Sequence, residues 1–521
     1  MPYRPPRSSS RHARNVAVAL ALLGTIGCRG DRLPALTAAP PNVVLVTVDT
    51  LRADRVSAYV AGMGGPPSPL QTVNFDRLAW GGAVFQNAYC DVTWTTPSMA
   101  STMTGQFAYR HGFQNSFQKL ADSQVTVAEA LRDTGYRTAA VLGSYPVSSI
   151  YGLAQGFDVY DEEFTRSLRD GNAEDNTVLD KQALTALQAE TGKEAARDEE
   201  QIAKINLANW IATLGRSRRT DTEVSDRAIE TVRRLSGQQP VKPFFLWVHY
   251  FGPHAIPDDR LPFEEQLRRD VNDYNERVRL TDIQVGRLFD ELDALGLTPN
   301  TLVILHADHG ESLLEHDYFG HGRFLYQDNA LVPLMMRWPA VVQHGQRSRV
   351  LAANVDVFAT ILDAADARLP DQPRDGISLI RLLRNEAQPR EIMYLETYMP
   401  SGSMFSERLP SANGEILAGV VRYGLLIPPH KLIETVPTRL WDEVANEATV
   451  EQAEATRTLE LYDVVADPGE KTNLAGIRPA QTAALRDSLE SIRGQARSAA
   501  PTALVPGKDH EERLRSLGYV Q

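Results

Sequence analysis

The sequence predicts an α/β fold built around a mostly parallel sheet, because short apolar strands alternate with helical segments. Continuous runs of β-branched and other apolar residues are typical of strands that are covered on both faces. Such runs occur at 42–48, 138–142, 243–248 and 301–305. Helical periodicity between them predicts helices that include 224–235 and 275–295. Strands that alternate with helices favour a sheet between two helical layers.

The length of the chain predicts more than one structural unit. With 521 residues, it is too long for one small domain. We expect a large domain over 41–370, with an exposed, polar helical insertion at about 163–220, and a smaller subdomain over 371–521. The strand–helix alternation ends after about residue 370. The smaller part is predicted to contain two strands and a last helix, at 391–395, 420–426 and about 478–497.

The N-terminus resembles an export signal. Arginines precede an apolar stretch, Val16–Ile26, which is too short to span a bilayer comfortably. The stretch leads into Gly27-Cys28, which resembles a bacterial lipobox with Thr25 in place of the usual Leu. We therefore expect a lipoprotein signal over 1–27, a tether over 28–40, and an exported protein in the cell envelope that a lipid holds at a membrane surface. The alternative is a plain cleaved signal with an incidental cysteine.

The net charge argues against a nucleic-acid partner, and the cysteine content limits disulfide formation within the chain. The formal net charge is −12, and basic residues cluster only at the extreme N-terminus, so we expect no nucleic-acid partner. The two cysteines are Cys28 and Cys90. If Cys28 carries a lipid, no disulfide can form within the chain. Cys90 is then expected to be a small buried apolar residue.

Polar side chains follow several of the predicted strands. Asp49 comes directly after the first strand, and Asp308-His309 follow the strand at 301–305. Ligand groups commonly lie just past the carboxyl ends of strands in open α/β sheets, and carboxylate with imidazole is a typical set for a divalent metal. Six of the eleven histidines fall in two short segments, namely His249, His254, His306, His309, His316 and His321.

A helix is predicted over Thr95–Thr104. Pro97 suits its first turn, Thr95 and Thr96 suit its N-cap, and Gly105 suits its end. A hydroxyl at a helix N-terminus meets partial positive charge, which favours an alkoxide and a bound anion. An ordinary threonine hydroxyl is a poor nucleophile that needs a metal or base. Taken alone, this segment indicates only a helix start.

Taken together, these segments resemble the sulfatase family of the alkaline phosphatase superfamily from residue 41 to about 475. Two of the matching motifs are Asp308-His309-Gly310-Glu311 and Phe319-Gly320-His321-Gly322. The other matching segments are 42–52, 74–79, 85–89, 244–254, 332–334, 461–463, 467–470 and 473–474. The resemblance implies an alkaline-phosphatase-like sandwich with a mostly parallel central sheet and a smaller C-terminal α+β subdomain.

The resemblance also implies roles for individual residues. Asp49, Asp308 and His309 match metal ligands, and Thr95 matches the nucleophile, whose oxygen also touches the metal. The positions matched to catalytic contacts with substrate or leaving group are His254 and His321. The positions expected to bind substrate are His249 and Arg52.

The chain departs from the family pattern at the nucleophile. Sulfatases oxidise a Cys or Ser within C-x-P-x-R to formylglycine, whereas this chain has Thr95 and, in place of the Arg, Met99. Threonine cannot become that aldehyde. Thr50 stands where sulfatases tend to have a second carboxylate, and His309 where they have Asn. Loss of carboxylate and gain of imidazole favour one divalent cation, Zn²⁺ or Mn²⁺ rather than Ca²⁺.

Three functions remain open at this point. The first is a metal-dependent hydrolase or transferase of phosphate-type esters, either phosphodiesters or phosphonate monoesters, through the Thr95 nucleophile. The second is an arylsulfatase-like sulfuric ester hydrolase that works without formylglycine. The third is a binding protein that has lost turnover. The expected substrate is a small-molecule, glycan or lipid ester.

Overall fold

The computed structural model describes most of the predicted catalytic part of the chain. The described residues are 36, 39–60, 70–114, 118–164, 218–255, 262–368, 370–398, 407–411, 414–441, 457–495 and 502–503. The predicted signal, most of the tether and most of the predicted insertion lie outside these residues. No helix in the described part of the chain is long and apolar enough to cross a bilayer.

Eight strands of the described chain form the central sheet, in the order β8-β2-β7-β6-β1-β5-β3-β4. The strands are β1 Asn42–Val48, β2 Ala83–Tyr89, β3 Arg137–Leu142, β4 Val159–Asp161, β5 Phe244–Tyr250, β6 Thr301–His306, β7 Leu334–Arg337 and β8 Gln346–Ala353. Only β7 runs antiparallel to its neighbours within this sheet. The predicted α/β fold with a mostly parallel central sheet is thus confirmed.

Helices cover both faces of this sheet. In chain order, the α-helices of the described chain are α1 Ser57–Val60, α2 Val73–Trp80, α3 Thr95–Thr104, α4 Ala108–His111, α5 Val127–Asp133, α6 Asp221–Gly237, α7 Phe263–Ala294, α8 Gln327–Ala330, α9 Asp356–Ala364, α10 Leu379–Leu383 and α11 Pro479–Arg493. Successive side chains of a strand point to opposite faces. Val43 and Leu45 of β1 therefore join one buried apolar cluster, and Val44 and Val46 join the other.

Two local predictions need correction. The helix predicted from residue 275 begins at Phe263. The prediction missed its first turns because they are rich in charged residues and show little apolar periodicity. Helix α3 has the predicted bounds and ends at Gly105 with φ +66°, but its N-cap residue is Trp94, and no side chain caps it. Thr95 is therefore the first helical residue, and its hydroxyl is free for another contact.

The second sheet is antiparallel and lies in the C-terminal part of the chain. Its strands are β9 Met393–Tyr398, β10 Glu407–Ser411, β11 Gly414–Ile427, β12 His430–Trp441 and β13 Thr458–Asp463. Leu489 of α11 packs in the same apolar cluster as Leu425 and Leu432 of this sheet. The sheet matches the expected strands after residue 370, and the exact domain boundary stays a prediction.

Candidate active site

Neighbouring strands bring the predicted metal ligands together. Strand β1 pairs in parallel with β6, with Thr47 opposite His306. Asp49 and Asp308 each follow the end of one of these strands, so the pairing places them side by side. The backbone N–H of Thr50 donates to Oδ1 of Asp308 at 3.3 Å, which joins the two loops. Thr50 has φ +56°, a strained conformation for a β-branched residue of the kind that is concentrated at functional sites.

Asp49, Asp308 and His309 form a candidate metal centre. One potential ligand atom from each lies within 4.8 Å of the other two, and all three side chains are buried. Both carboxylate oxygens of Asp49 and Oδ2 of Asp308 lack hydrogen-bond geometry to any described residue. Buried carboxylate oxygens without partners are costly, and a divalent cation would satisfy them. The donor set of two carboxylates and one imidazole therefore fits a metal.

Burial shifts the pKa of each member of this set. Burial raises the pKa of Asp49 well above its usual value, helped by the nearby Glu311 carboxylate, while the Thr95 hydroxyl opposes this rise. Burial and the charge of Asp49 raise the pKa of Asp308 to about 6. Burial lowers the pKa of His309 to about 3, so its imidazole is neutral at pH 7. A bound cation would favour the ionised carboxylates and oppose the first two shifts.

The tautomer of His309 follows from its contacts. Its Nδ1 lies 2.9 Å from the carbonyl oxygen of Gly310, which can only accept a hydrogen bond. Nδ1 therefore carries the proton, and the lone pair lies on Nε2. Nε2 is 3.1 Å from Oγ1 of Thr95 and 3.4 Å from Oδ2 of Asp308. This nitrogen thus faces the candidate metal centre and accepts from the Thr95 hydroxyl.

Side chains in the first turn of α3 seat Thr95 against this centre. Oγ of Ser98 donates to the backbone carbonyl of Asp308 at 2.6 Å, and Oγ1 of Thr96 donates to that of Pro146 at 2.8 Å. Met99, at the position of the family Arg, is fully buried in an apolar cluster. No sequence pattern indicated the role of Ser98, because its partner is remote in the chain.

His254 and His321 lie beside His309. The ring of His321 stacks on that of His309 with centroids 4.4 Å apart, and His254 meets His321 edge-on at 5.0 Å. Nδ1 of His254 donates to the carbonyl of Ala255 at 2.7 Å. Burial lowers the pKa of both His254 and His321 to about 4. These two predicted catalytic residues are thus close to the candidate metal centre as neutral imidazoles.

Glu311 is a residue of the site to which sequence reasoning gave no role. Its Oε1 lies 3.0 Å from Nδ1 of His321. Burial raises the pKa of Glu311 to about 7. Glu311 therefore orients His321, with Nδ1 toward the carboxylate and Nε2 left for the site. The available signal was its place in the Asp-His-Gly-Glu motif, two residues after His309.

The guanidinium of Arg52 is occupied by protein groups. Its Nε and Nη2 donate to the carboxylate of Asp54 at 2.9 and 2.8 Å. Its Nη1 donates to the carbonyl of Glu311 at 3.0 Å and to the carboxylate of Glu315 at 2.6 Å. Arg52 therefore links the loop after β1 to the segment that carries Glu311. Its predicted role in substrate binding stays a prediction.

The other three histidines of the predicted set differ in position. His306 is buried beside Thr47, with Nε2 2.9 Å from the threonine hydroxyl. His316 stacks on Tyr326 at 3.7 Å. His249 is fully buried, with Nε2 3.5 Å from Oδ2 of Asp49. Among the described residues, only Asp49, Asp308 and His309 form a cluster suited to a metal.

Comparison with known proteins identifies the family. The model of the Sulfatase family matches residues 41–367. That match covers more than half of the chain, so the protein belongs to the sulfatase family. It is similar to the N-acetylglucosamine-6-O-sulfatase of Bacteroides thetaiotaomicron, with 23% identity over 84% of this chain and 83% of the relative. It is also similar to human arylsulfatase A, with 27% identity over 91% and 92%.

Solved structures share the fold. BT4656, in complex with its substrate D-glucosamine-2-N,6-O-disulfate, has a TM-score of 0.60 and 21% identity, with 87% of this chain and 97% of that chain covered. The phosphonate monoester hydrolase of Agrobacterium radiobacter has a TM-score of 0.61 and 19% identity, with 89% and 100% covered. Sulfatases and phosphonate monoester hydrolases therefore share this architecture, and the substrate class must be argued from the site.

Proposed function

We propose that this sulfatase-family hydrolase cleaves or transfers phosphate-type esters, either phosphodiesters or phosphonate monoesters, with Thr95 as its nucleophile. The observation that carries the proposal is the 3.1 Å contact between Oγ1 of Thr95 and Nε2 of His309. That contact places an uncapped hydroxyl at the N-terminus of α3, beside two carboxylates with unpartnered oxygens. A helix N-terminus favours the charge that develops on the nucleophile and on the transferred anion.

The residues divide the chemistry between them. Asp49, Asp308 and His309 would hold one divalent cation, for which the nitrogen ligand favours Zn²⁺ or Mn²⁺ over Ca²⁺. Such a cation supplies Lewis acidity, which lowers the pKa of a nearby hydroxyl and neutralises charge on the transferred group. Oγ1 of Thr95 loses its proton and bonds to phosphorus, while the bond from phosphorus to the leaving oxygen breaks.

Proton movement falls to the two neutral histidines. His254 and His321 present Nε2 toward the site, since Nδ1 of each is engaged by an acceptor. One of them accepts the proton of the attacking hydroxyl and delivers it to the leaving oxygen. Water or an alcohol then attacks the phosphothreonine by the reverse use of the same groups. The acceptor decides between hydrolysis and transfer.

The nucleophile favours phosphoryl over sulfuryl transfer. Threonine cannot become formylglycine, and Met99 adds an apolar, fully buried side chain where the family motif has an Arg. The solved phosphonate monoester hydrolases show that this architecture also serves phosphorus esters. One cation with neutral imidazoles suits a substrate that carries a single negative charge.

A sulfuric ester is the second candidate substrate, since both curated relatives described above are named as sulfatases. A binding protein without turnover is the third function. The loss of the Arg at position 99 supports it, and the retention of Thr95 beside the candidate metal centre opposes it. The alcohol part would come from a small molecule, a glycan or a lipid. Export and a lipid anchor on Cys28 are part of the same proposal, with no nucleic-acid partner.

A paired assay tests the substrate class. A form of the protein that begins at residue 29 is stripped with a chelator and given an aryl phosphodiester, an aryl phosphonate monoester or the matching aryl sulfate, with Zn²⁺, Mn²⁺ or Ca²⁺. Turnover of the phosphorus esters with Zn²⁺ or Mn²⁺ is the expected result. Turnover of the sulfate alone would assign the second candidate. If none of the three substrates turns over while metal binds, the protein transfers to a specific acceptor or only binds.

A further inference from the structure

His249 lies beside Asp49 in the pairing of two central strands. Strand β5 pairs in parallel with β1 and places His249 opposite Thr47. Alternate residues of a strand share a face, so His249 lies on the face that Thr47 and Asp49 share. Its Nε2 is 3.5 Å from Oδ2 of Asp49, and both side chains are fully buried.

The two oxygens of Asp49 face different histidines. Oδ2 faces Nε2 of His249, whereas Oδ1 is 4.0 Å from Nε2 of His309. Nε2 of His309 carries a lone pair, because Nδ1 donates to the carbonyl of Gly310. It can bind a cation but cannot donate to Asp49. Oδ1 is therefore the oxygen of Asp49 on the side of His309, and Oδ2 is the oxygen on the side of His249.

His249 has donor capacity that no other described residue uses. Neither of its ring nitrogens meets hydrogen-bond geometry with another residue of the described chain. A neutral imidazole carries one N–H, and burying that donor without an acceptor is costly. A small closure of the 3.5 Å gap would let it donate to Oδ2 of Asp49. Carboxylates that ligate a metal are typically held in this way by an outer hydrogen-bond partner.

We propose that His249 is a positioning residue of the metal centre: its Nε2–H holds Oδ2 of Asp49, so that Oδ1 is directed at the cation. The proposal rests on the metal site of the proposed function and not on the substrate class. It replaces direct substrate binding as the role of His249. The His249 ring is fully buried, in a T-shaped contact with Trp247 whose ring centroids are 6.2 Å apart. Positioning of Asp49 by His249 requires no contact with a substrate.

The test measures metal affinity without any substrate. Zn²⁺ affinity of the full protein is measured by competition with a chromophoric chelator for wild type, His249→Leu and His249→Gln. The leucine variant removes the donor and should bind Zn²⁺ about 10- to 100-fold more weakly. The glutamine variant, whose amide nitrogen lies near the former Nε2, should recover most of this loss. His111→Gln is the matched control, because His111 is equally buried but bonds to Ser101, and its Zn²⁺ affinity should not change.

Other results would overturn the proposal. Zn²⁺ affinity of His249→Leu equal to that of wild type would show that His249 does not position Asp49. A raised KM with unchanged Zn²⁺ affinity would return His249 to substrate binding. If the visible spectrum of the Co²⁺ form of His249→Gln indicated one nitrogen ligand fewer than in wild type, His249 would be a direct ligand.

A second pair of variants decides the matter if the leucine variant does not fold, which thermal unfolding would reveal. His249→Asn carries a donor too short to reach Asp49, so it should bind Zn²⁺ more weakly than His249→Gln. Equal affinities of these two variants would contradict the proposal. Because the Zn²⁺-affinity measurements use no turnover, a failure of the proposed esterase activity would be seen separately in the paired assay.

Discussion

Oγ1 of Thr95 and Nε2 of His309 lie 3.1 Å apart, and this contact joins the first residue of α3 to the loop after β6. Thr95 follows the N-cap residue Trp94, and no side chain makes a capping hydrogen bond to this helix. The Thr95 hydroxyl is therefore not used by its own helix. The same imidazole nitrogen faces Oδ2 of Asp308 at 3.4 Å. The proposed nucleophile and a proposed metal ligand are therefore buried next to each other.

Removal of the Thr95 hydroxyl should abolish turnover and leave metal binding intact. We expect Thr95→Ala to lower kcat/KM for an aryl phosphodiester by on the order of 10³-fold or more, since the atom that bonds to phosphorus is lost. Thr95→Ser keeps the hydroxyl and should keep measurable activity. Steady-state kinetics with Zn²⁺ affinity measured in parallel checks this. Unchanged activity of the alanine variant would remove Thr95 from the mechanism.

A cation should stabilise the fold through the three proposed ligands. Because Zn²⁺ binds the native site and relieves two buried carboxylates, its addition to chelator-stripped protein should raise the melting temperature. In Asp308→Asn, with one charge removed, the rise should shrink. Differential scanning fluorimetry over a Zn²⁺ titration measures both. An equal rise in the variant would place the cation elsewhere in the protein.

Loss of the Glu311 carboxylate should slow the chemical step. Glu311→Gln keeps the size of the side chain but cannot hold the Nδ1–H of His321 as firmly, so we expect kcat to fall about 10²-fold with little change in KM. Glu315→Gln is the control. Glu315 lies on the same segment as Glu311, but it accepts a hydrogen bond from Arg52 and not from His321. Equal losses in the two variants would mean that Glu311 only supports the fold.

Asp91 should make the stability of the protein depend on pH. Burial raises its pKa from 3.8 to about 7, so its contribution is full below about pH 4 and is lost as pH rises to about 7. Asp91→Asn should not lose this stability as the pH rises, because the asparagine amide does not ionise. The unfolding free energy of the variant should therefore improve relative to wild type between pH 4 and pH 7, as measured by urea denaturation.

The neighbouring His111 does not disturb this comparison. Burial lowers its pKa to about 3, so its own contribution to stability grows as pH rises from about 3 to 6.5, which is the opposite sign. His111 is present in both proteins, and its contribution largely cancels in the difference. A difference between variant and wild type that does not change with pH would contradict the raised pKa of Asp91.

A buried ion pair supports the segment that precedes α8. Nζ of Lys431 lies 2.6 Å from Oε1 of Glu470, and both side chains are buried. Lys431→Met alone leaves a buried carboxylate without its partner and should cost about 3–5 kcal/mol of unfolding free energy. Adding Glu470→Gln should recover part of this cost. Chemical denaturation of the two singles and the double gives the coupling, and strictly additive losses would contradict it.

Four of the eight central strands, β1, β3, β5 and β6, could be predicted from the sequence to within about a residue or two. The other four were not predicted as strands. The runs of the predicted four, such as 42–48, are continuously apolar because the sheet is covered on both faces. The same rule located Asp49 and Asp308, since parallel neighbours end at the same edge of the sheet. The C-terminal end of helix α3 was predicted correctly, because Gly105, with φ +66°, follows its last residue.

Contacts between remote side chains could not be predicted. Two of the partners of Arg52, Glu311 and Glu315, lie in a short segment that has no periodic signal. Ser98 bonds to the backbone carbonyl of Asp308, which is remote in the chain. The N-cap prediction failed because His309 and Pro146 provide better partners for Thr95 and Thr96 than the helix does. The 3.5 Å distance between Nε2 of His249 and Oδ2 of Asp49 likewise could not be predicted.

The most direct test of the account is a search for a covalent group on Thr95. The enzyme with Zn²⁺ is mixed with an excess of aryl phosphodiester, quenched in acid during turnover, digested and analysed by mass spectrometry. We expect a phosphoester on the peptide that contains Thr95, and we expect it to be absent when Zn²⁺ is withheld. Turnover of the diester that leaves no such group on Thr95, together with full activity of Thr95→Ala, would contradict the account.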